Sequence, residues 1–254
     1  MYVNDLGLPD RVIVTGGSSG IGLVAALFFA EAGSRVGIVG RDYRKLETAA
    51  TELQEFGSVY TAEADIGAEN EIRAAIKVLA GDLGGVDAVV SAAGIDGEMG
   101  ARCEDVTAAS FEDVLRINVL GTFLTVRSAL PHLQQSPDPS VVIVGSDSGF
   151  VTTPGMLAYN ASKGALVQLT RALSVELFDE YGIRVNSICP SIVDTPMSRR
   201  GLAVDSFDGV PYPVQDPADL AWSIGFLVSS RNKAINGVNL LSDYGYVSRS
   251  SFPA

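Results

Sequence analysis

Along this chain, short unbroken apolar runs alternate with longer stretches whose apolar positions recur at helical spacing. The runs Val-Ile-Val at 12–14 and Val-Val-Ile-Val at 141–144 are continuous rather than alternating, as expected of parallel strands covered on both faces. The pattern predicts strands over 11–15, 35–39, 58–62, 86–91, 141–145, 184–189 and 237–241. It predicts helices over 42–56, 69–83, 110–133, 158–181 and 217–230, with a further apolar helix directly after the first strand. Asp216-Pro217 reads as a helix start, with Asp as N-cap and Pro in the first turn. Strand and helix in alternation predict an α/β fold, a doubly wound sheet of about seven parallel strands with helices on both faces. In such Rossmann-like sheets, ligands sit at the carboxyl ends of the strands.

Composition narrows the class. No linker, repeat or low-complexity stretch divides the 254 residues, so 1–254 reads as one domain. A formal charge of −12 argues against nucleic-acid or anionic-membrane partners, which demand clustered Lys and Arg. Residues 1–10 carry no basic region followed by an apolar run, and no stretch reaches membrane-spanning length. The expectation is a cytoplasmic protein acting on a small molecule. Cys103 and Cys189 stand far apart and make no disulfide framework. His132 is the only histidine; it falls at a predicted helix end, so a histidine triad or a zinc site is disfavoured.

Chemistry gathers in three places. The first strand runs into Thr15-Gly16-Gly17-Ser18-Ser19-Gly20-Ile21-Gly22. Here Gly16 permits a tight turn, Gly20 lets a pyrophosphate approach the backbone, and Gly22 lets the helix pack closely. At the end of the second strand stands Gly40-Arg41-Asp42. Glycine offers no carboxylate to a ribose, whereas Arg41 suits a 2′-phosphate, so NADP is favoured over NAD. Asp42 keeps NAD(H) open, its simpler reading being a helix cap. Asp65, after the third strand, is a candidate for the adenine edge or a plain turn residue. Tyr159 and Lys163 lie four residues apart on a predicted helix and so share a face. An ammonium beside a phenol favours the phenolate, so Tyr159 is expected to exchange protons near neutral pH as a general acid/base.

Taken together, Thr15 to Gly22, Ala92-Ala93-Gly94, Asn118, Ser146, Tyr159-x-x-x-Lys163, Asn186 and Pro190 to Met197 resemble the short-chain dehydrogenase/reductase family over nearly the full length. The resemblance implies that Tyr159 is the acid/base and that Ser146, thirteen residues earlier, binds the substrate oxygen. It implies that Lys163 holds the nicotinamide ribose and lowers the Tyr159 pKa, and that Asn118 anchors a water in a proton relay. Gly16, Ser18, Ser19, Gly20, Ile21, Arg41, Asp65, Ile66, Ala93, Gly94, Pro190, Ile192, Val193 and Thr195 would line the nucleotide. Ser148 is a nearby competitor for the role of Ser146, and Thr195 alternatively a turn residue before Pro196.

Departures from the family pattern are Ser91 in place of an amide, Ser191 and Tyr244 in place of glycines, and Ser19 where NADP-preferring members carry a cation.

The substrate pocket is expected from Phe150, Val151, Met156 and Leu157, the loop 95–102 and a short variable lid at 198–215. Within that lid, Arg199 and Arg200 are candidates for an acidic substrate group, or are simply solvated. The resemblance also implies a homo-oligomer, tetramer or dimer, whose tail at 246–254 could cover a neighbour's site. The function expected is NADPH-dependent carbonyl reduction. The rivals are an NAD-dependent secondary-alcohol dehydrogenase and a nucleotide sensor without turnover.

Overall fold

A computed structural model describes residues 6–249. Seven strands hydrogen-bond side by side in the order β3-β2-β1-β4-β5-β6-β7, every pair parallel. They are β1 (Arg11–Thr15), β2 (Arg35–Gly40), β3 (Val59–Glu63), β4 (Ala88–Ser91), β5 (Ser140–Val144), β6 (Arg184–Pro190) and β7 (Asn239–Ser242). The helices are α1 (Gly20–Glu31), α2 (Tyr43–Leu53), α3 (Glu69–Leu83), α4 (Ala108–Leu115), α5 (Gly121–Leu133), α6 (Leu157–Tyr181), α7 (Pro196–Gly201) and α8 (Pro217–Val228). All seven expected strands form, with ends shifted by one or two residues.

The continuous apolar runs are explained by burial on both faces. Val12, Val14 and Ile38 point into one core with Phe29 of α1 and Leu220 and Ile224 of α8. Ile13, Val89 and Ile143 point into the other with Ile72, Ile76 and Leu79 of α3 and Leu133 of α5. Each fully buried large side chain of this kind contributes roughly 1.5–3 kcal/mol. Strand order reverses between β1 and β4, and this opens the crevice where an α/β sheet takes its ligand.

Two expected caps are in place: Asp42 accepts the Lys45 N–H at 3.2 Å and Asp216 that of Ala218 at 2.8 Å. One helix differs. The sequence predicts a single helix over 110–133, but the chain forms α4, then a π-helical segment Arg116–Leu120, then α5. Asn118 sits in that segment at 1% exposure. Its amide binds both the N–H and the C=O of Ile95, at 2.8 and 2.9 Å, and donates to the Ser162 hydroxyl at 3.0 Å. Those bonds hold the wider turn, which intrinsic helix propensity does not favour. Among the described residues, no helix is long and apolar enough to cross a membrane.

Candidate functional site

The glycine turn after β1 is built for close approach. Gly16 has φ +71, and a Cβ on it would lie 2.9 Å from the Ala93 backbone after β4, while its N–H binds the Val39 carbonyl at 2.8 Å. Gly22 packs on the Gly16 carbonyl, whose carbon would lie 2.8 Å from an added Cβ. Gly20, at φ +54, faces the Thr195 side chain across the crevice. Ser19 precedes α1 in extended geometry without a side-chain cap bond. The first-turn N–H groups of α1 therefore stay open to an anion, the arrangement that suits a pyrophosphate.

Around this turn the other nucleotide candidates divide. Ser18 lies beside Gly40, where an added Cβ would come within 3.2 Å of its hydroxyl, and Arg41 is exposed at the same strand end. Ile21 is half-buried on α1, packed against the core. Asp42 is spent on its cap. The Asp65 carboxylate accepts from Gly67 N–H at 2.8 Å and from Arg116 at 2.9 Å. Burial pushes its pKa up, but those two partners outweigh it and hold the group below the usual carboxylate range. The Ile66 side chain is buried and fills the space a Cβ on Gly121 would need, so only its backbone faces outward chemistry. Ala93 N–H reaches the Thr15 hydroxyl at 3.4 Å, and Gly94 abuts Asn118. Pro190 ends β6, Ile192 accepts from Gln215 N–H at 2.9 Å, and Val193 bridges to Gln215. Thr195 is the N-cap of α7 in a capping box with Ser198, so its hydroxyl is engaged while its methyl side meets Gly20.

Across the crevice stand the acid/base candidates. Ser146 follows β5 and is 7% exposed; its Oγ accepts the Ser148 N–H and donates to the Asp147 carboxylate, both at 3.1 Å. Of the two serines, it is the Ser146 hydroxyl that bears on the Tyr159 phenol, easing its ionisation. Lys163, also buried, donates to the Val144 carbonyl at 3.0 Å, with its ammonium 5.4 Å from the centre of the Tyr159 ring. Burial pulls Lys163 down to about 8, against a smaller opposing pull from Cys189.

One expectation is overturned here. The Tyr159 phenol is not depressed by Lys163. Burial pushes it up to about 12, against the Ser146 hydrogen bond, with further push from the charges of Asp147 and Asp96. The ammonium lies over the ring face and is tied to a carbonyl, so the loss of water around the phenol dominates. The Asn118 amide finds its partners in Ile95 and Ser162, and its backbone carbonyl accepts the Thr122 hydroxyl at 2.8 Å. Ser91 joins that chain by donating to Thr122 at 3.3 Å, so a hydroxyl pair bridges where the family carries an amide.

Three segments meet at the mouth. Gly100 N–H binds the Gly155 carbonyl at 2.8 Å, joining the loop after β4 to the loop before α6. Arg200 of α7 pairs with Asp96 at 2.9 Å, and Arg199 grips Asp194 with two bonds at 2.6 and 2.9 Å. Both arginines are thus held by the chain's own carboxylates, which removes the support for an acidic substrate. Accordingly, Arg199→Ala should change KM by only a few-fold, and equally for anionic and neutral ketones, as a surface ion pair implies. A selective loss for anions in steady-state kinetics would count against this. Sequence reasoning passed over Asp96 and Asp147; a carboxylate directly after Ser146 was the available signal. Among the described residues, no group of His, Cys, Asp and Glu is arranged to hold a metal.

Residues 10–203 match the family model described as short chain dehydrogenase. The chain is 33% identical over 243 residues to the 2-(R)-hydroxypropyl-CoM dehydrogenase of Xanthobacter autotrophicus, covering 92% of this chain and 97% of that one. It is similar in structure to the 3-ketoacyl-(acyl-carrier-protein) reductase of Brucella melitensis complexed with NADH, with TM-score 0.85, 31% identity, and 94% and 99% of the two chains covered. An NADPH-bound short chain oxidoreductase from Pseudomonas aeruginosa aligns with TM-score 0.86 and 26% identity over 96% and 98% of the chains.

Proposed function

This chain belongs to the short-chain dehydrogenase family of NAD(P)(H)-dependent oxidoreductases acting on CH–OH groups, and from that premise we propose that it reduces a ketone or aldehyde to an alcohol with NADPH. The single observation that carries this reading is the gathering of Ser146, Tyr159 and Lys163 at the carboxyl end of β5, with Lys163 bound to the Val144 carbonyl and lying over the Tyr159 ring.

The residues fit a nicotinamide dinucleotide: Gly16, where a Cβ would run into the Ala93 backbone, keeps the turn tight, and first-turn N–H groups await the phosphates. When bound, that cofactor supplies the hydride. The chain's own work is to orient and to handle a proton. Ser146 is proposed to hold the substrate oxygen by its hydroxyl, and Tyr159 to hand that oxygen a proton. A phenol pushed up to about 12 stays protonated at neutral pH, which is the form that reduction consumes. Lys163 is proposed to hold the ribose hydroxyls, with its ammonium already fixed at the Val144 carbonyl.

NADP(H) is proposed as the preferred nucleotide because Gly40 carries no carboxylate, Asp42 is occupied as a cap, and Arg41 stands exposed at the β2 end. Titration of reduced-nicotinamide fluorescence tests it. Arg41→Ala should weaken NADPH binding by roughly tenfold or more, the worth of one charge-assisted contact, and leave NADH binding unchanged. Equal loss for both nucleotides, or tighter NADH binding by the parent protein, would reverse the preference and point to NAD-dependent alcohol oxidation.

We also propose a homo-oligomer. Leu120, Val175 and Phe178 are exposed on the π segment and α6, Trp222 stacks on Phe226 on α8, and Tyr244 and Tyr246 are exposed as well. The tail expected to cover a neighbour's site runs over 246–254, and its residues past 249 lie outside the described ones. Cys103 and Cys189 are free thiols, in keeping with the cytoplasmic expectation.

A further inference from the structure

Most aspartates that are not exposed in this chain have strong partners. Asp65, Asp87, Asp96 and Asp194 are each paired with an arginine, and Asp243 accepts two backbone N–H groups. Asp138 has an orphaned carboxylate oxygen but precedes β5, at the end of the sheet away from the site. Asp147 differs: it follows Ser146 at the carboxyl end of β5 and is half-buried. Among the described residues, its carboxylate has one donor, the Ser146 hydroxyl at 3.1 Å from Oδ1, and no cation within 4.0 Å. The backbone fixes it there. Asp147 opens the 3-10 turn Asp147–Gly149, and its carbonyl accepts from Phe150 and Val151 N–H at 2.8 and 3.0 Å. The cations of the mouth are committed elsewhere, Arg199 to Asp194, Arg200 to Asp96 and Lys163 to the Val144 carbonyl. An ionised carboxylate offers about four lone-pair sites, so a half-buried one with a single donor is short of partners.

We propose that Asp147 determines substrate specificity: it selects carbonyl compounds that carry a hydrogen-bond donor, a hydroxyl or an ammonium, on the carbon next to the carbonyl. The inference rests on the proposed role of Ser146 as holder of the substrate oxygen, and adds the substrate class. A serine hydroxyl has one proton to donate. Without substrate that proton goes to Asp147. When it turns to the substrate oxygen, Asp147 Oδ1 loses this donor. The substrate that restores the bond brings its own donor beside the carbonyl oxygen, because Oδ1 lies 3.1 Å from the Oγ that this oxygen contacts. A hydroxyl or ammonium one carbon–carbon bond from the carbonyl carbon spans that gap, with hydrogen bonds of about 2.7–3.0 Å at both ends. A plain ketone leaves the carboxylate without a donor. A substrate carboxylate in the same place meets like charge, so the arrangement also selects against anions.

Steady-state kinetics of the full chain with NADPH tests this on small ketones: hydroxyacetone, aminoacetone, butanone and pyruvate. The parent should favour hydroxyacetone and aminoacetone over butanone in kcat/KM by roughly tenfold or more, the worth of a hydrogen bond to a charged group, and should disfavour pyruvate. Because these ketones differ in intrinsic reactivity, the deciding quantity is the change of each ratio on substitution. Asp147→Ala should erase the advantage of both donors and narrow the deficit of pyruvate, whereas Asp147→Glu, which keeps the charge, should keep the order of preference. In Asp147→Asn the aminoacetone advantage should fall further than that of hydroxyacetone, since the amide keeps an acceptor and loses the charge. Ratios that stay as in the parent in a folded Asp147→Ala protein overturn the proposal. An equal fall for all the ketones overturns it too, since that is what a purely structural role of Asp147 gives. Should the alanine variant not fold, Asp147→Asn is held to the loss of the aminoacetone advantage. A parent that reduces none of these ketones with NADPH or NADH removes the reading of the site as a carbonyl reductase, and the proposal with it.

Discussion

Tyr159→Phe should lower kcat for carbonyl reduction by about 10²–10⁴, the usual worth of a positioned general acid, and leave the dissociation constant for NADPH unchanged. The substitution removes one oxygen and keeps the ring, so the cation contact from Lys163 at 5.4 Å survives. What is lost is the proton donor beside Ser146. Lys163 is not positioned to replace it, because its ammonium is committed to the Val144 carbonyl. Steady-state kinetics alongside fluorescence titration separates the outcomes. Retained turnover would remove Tyr159 from the chemistry, and lost nucleotide binding would recast it as a binding residue. A protein that only sensed the nucleotide would respond identically with Phe.

The largest structural effect is expected at Gly22. Its missing side chain lets α1 start directly against the turn, with the Gly16 carbonyl carbon 2.8 Å from where a Cβ would be. The obstacle is backbone, and it cannot rotate away. Gly22→Ala must push α1 off the turn, and α1 carries Phe29, Ala25 and Ala26 into the core and packs beside α8. Overpacking of this kind costs typically about 1–3 kcal/mol. Because the open N–H groups of α1 move with the helix, nucleotide affinity should fall by roughly tenfold or more, equivalent to at least one charge-assisted hydrogen bond. Urea unfolding with and without NADPH measures both effects. Unchanged stability together with unchanged affinity would show that the turn yields more easily than its packing implies. By contrast, Gly81 and Gly164, on exposed or open helix faces with nothing within 4 Å of an added Cβ, should accept alanine without loss.

Much of this was written in the chain order. The continuous apolar runs specify parallel strands, because a strand buried on both faces has no polar side to alternate with. The glycines at 16, 20 and 22 announce a backbone approach, and Asp42 and Asp216 announce helix starts, because caps and tight turns depend on neighbours in sequence. The Tyr159–Lys163 pair is legible because helical spacing places both on one face.

Other features had no such local signature. The π segment at Arg116–Leu120 exists because Asn118 binds the Ile95 backbone and Ser162, residues 23 and 44 positions away. The arginines at 199 and 200 look free in sequence but meet Asp194 and Asp96, the latter 104 residues distant. The Tyr159 proton is the clearest case. Sequence spacing places an ammonium near it and suggests a lowered pKa. In the fold, the ammonium is turned to the ring face, and burial with Asp147 and Asp96 drives the group the other way. Tyr244, standing where a glycine is usual, takes φ +52 and so keeps the left-handed turn that its sequence seemed to forbid. Sequence alone thus determined which elements form and which side chains carry chemistry, since periodicity, capping and turn formation are short-range. The tertiary structure alone decided the electrostatics of the site, because burial and charge separation depend on groups brought together from distant strands and loops.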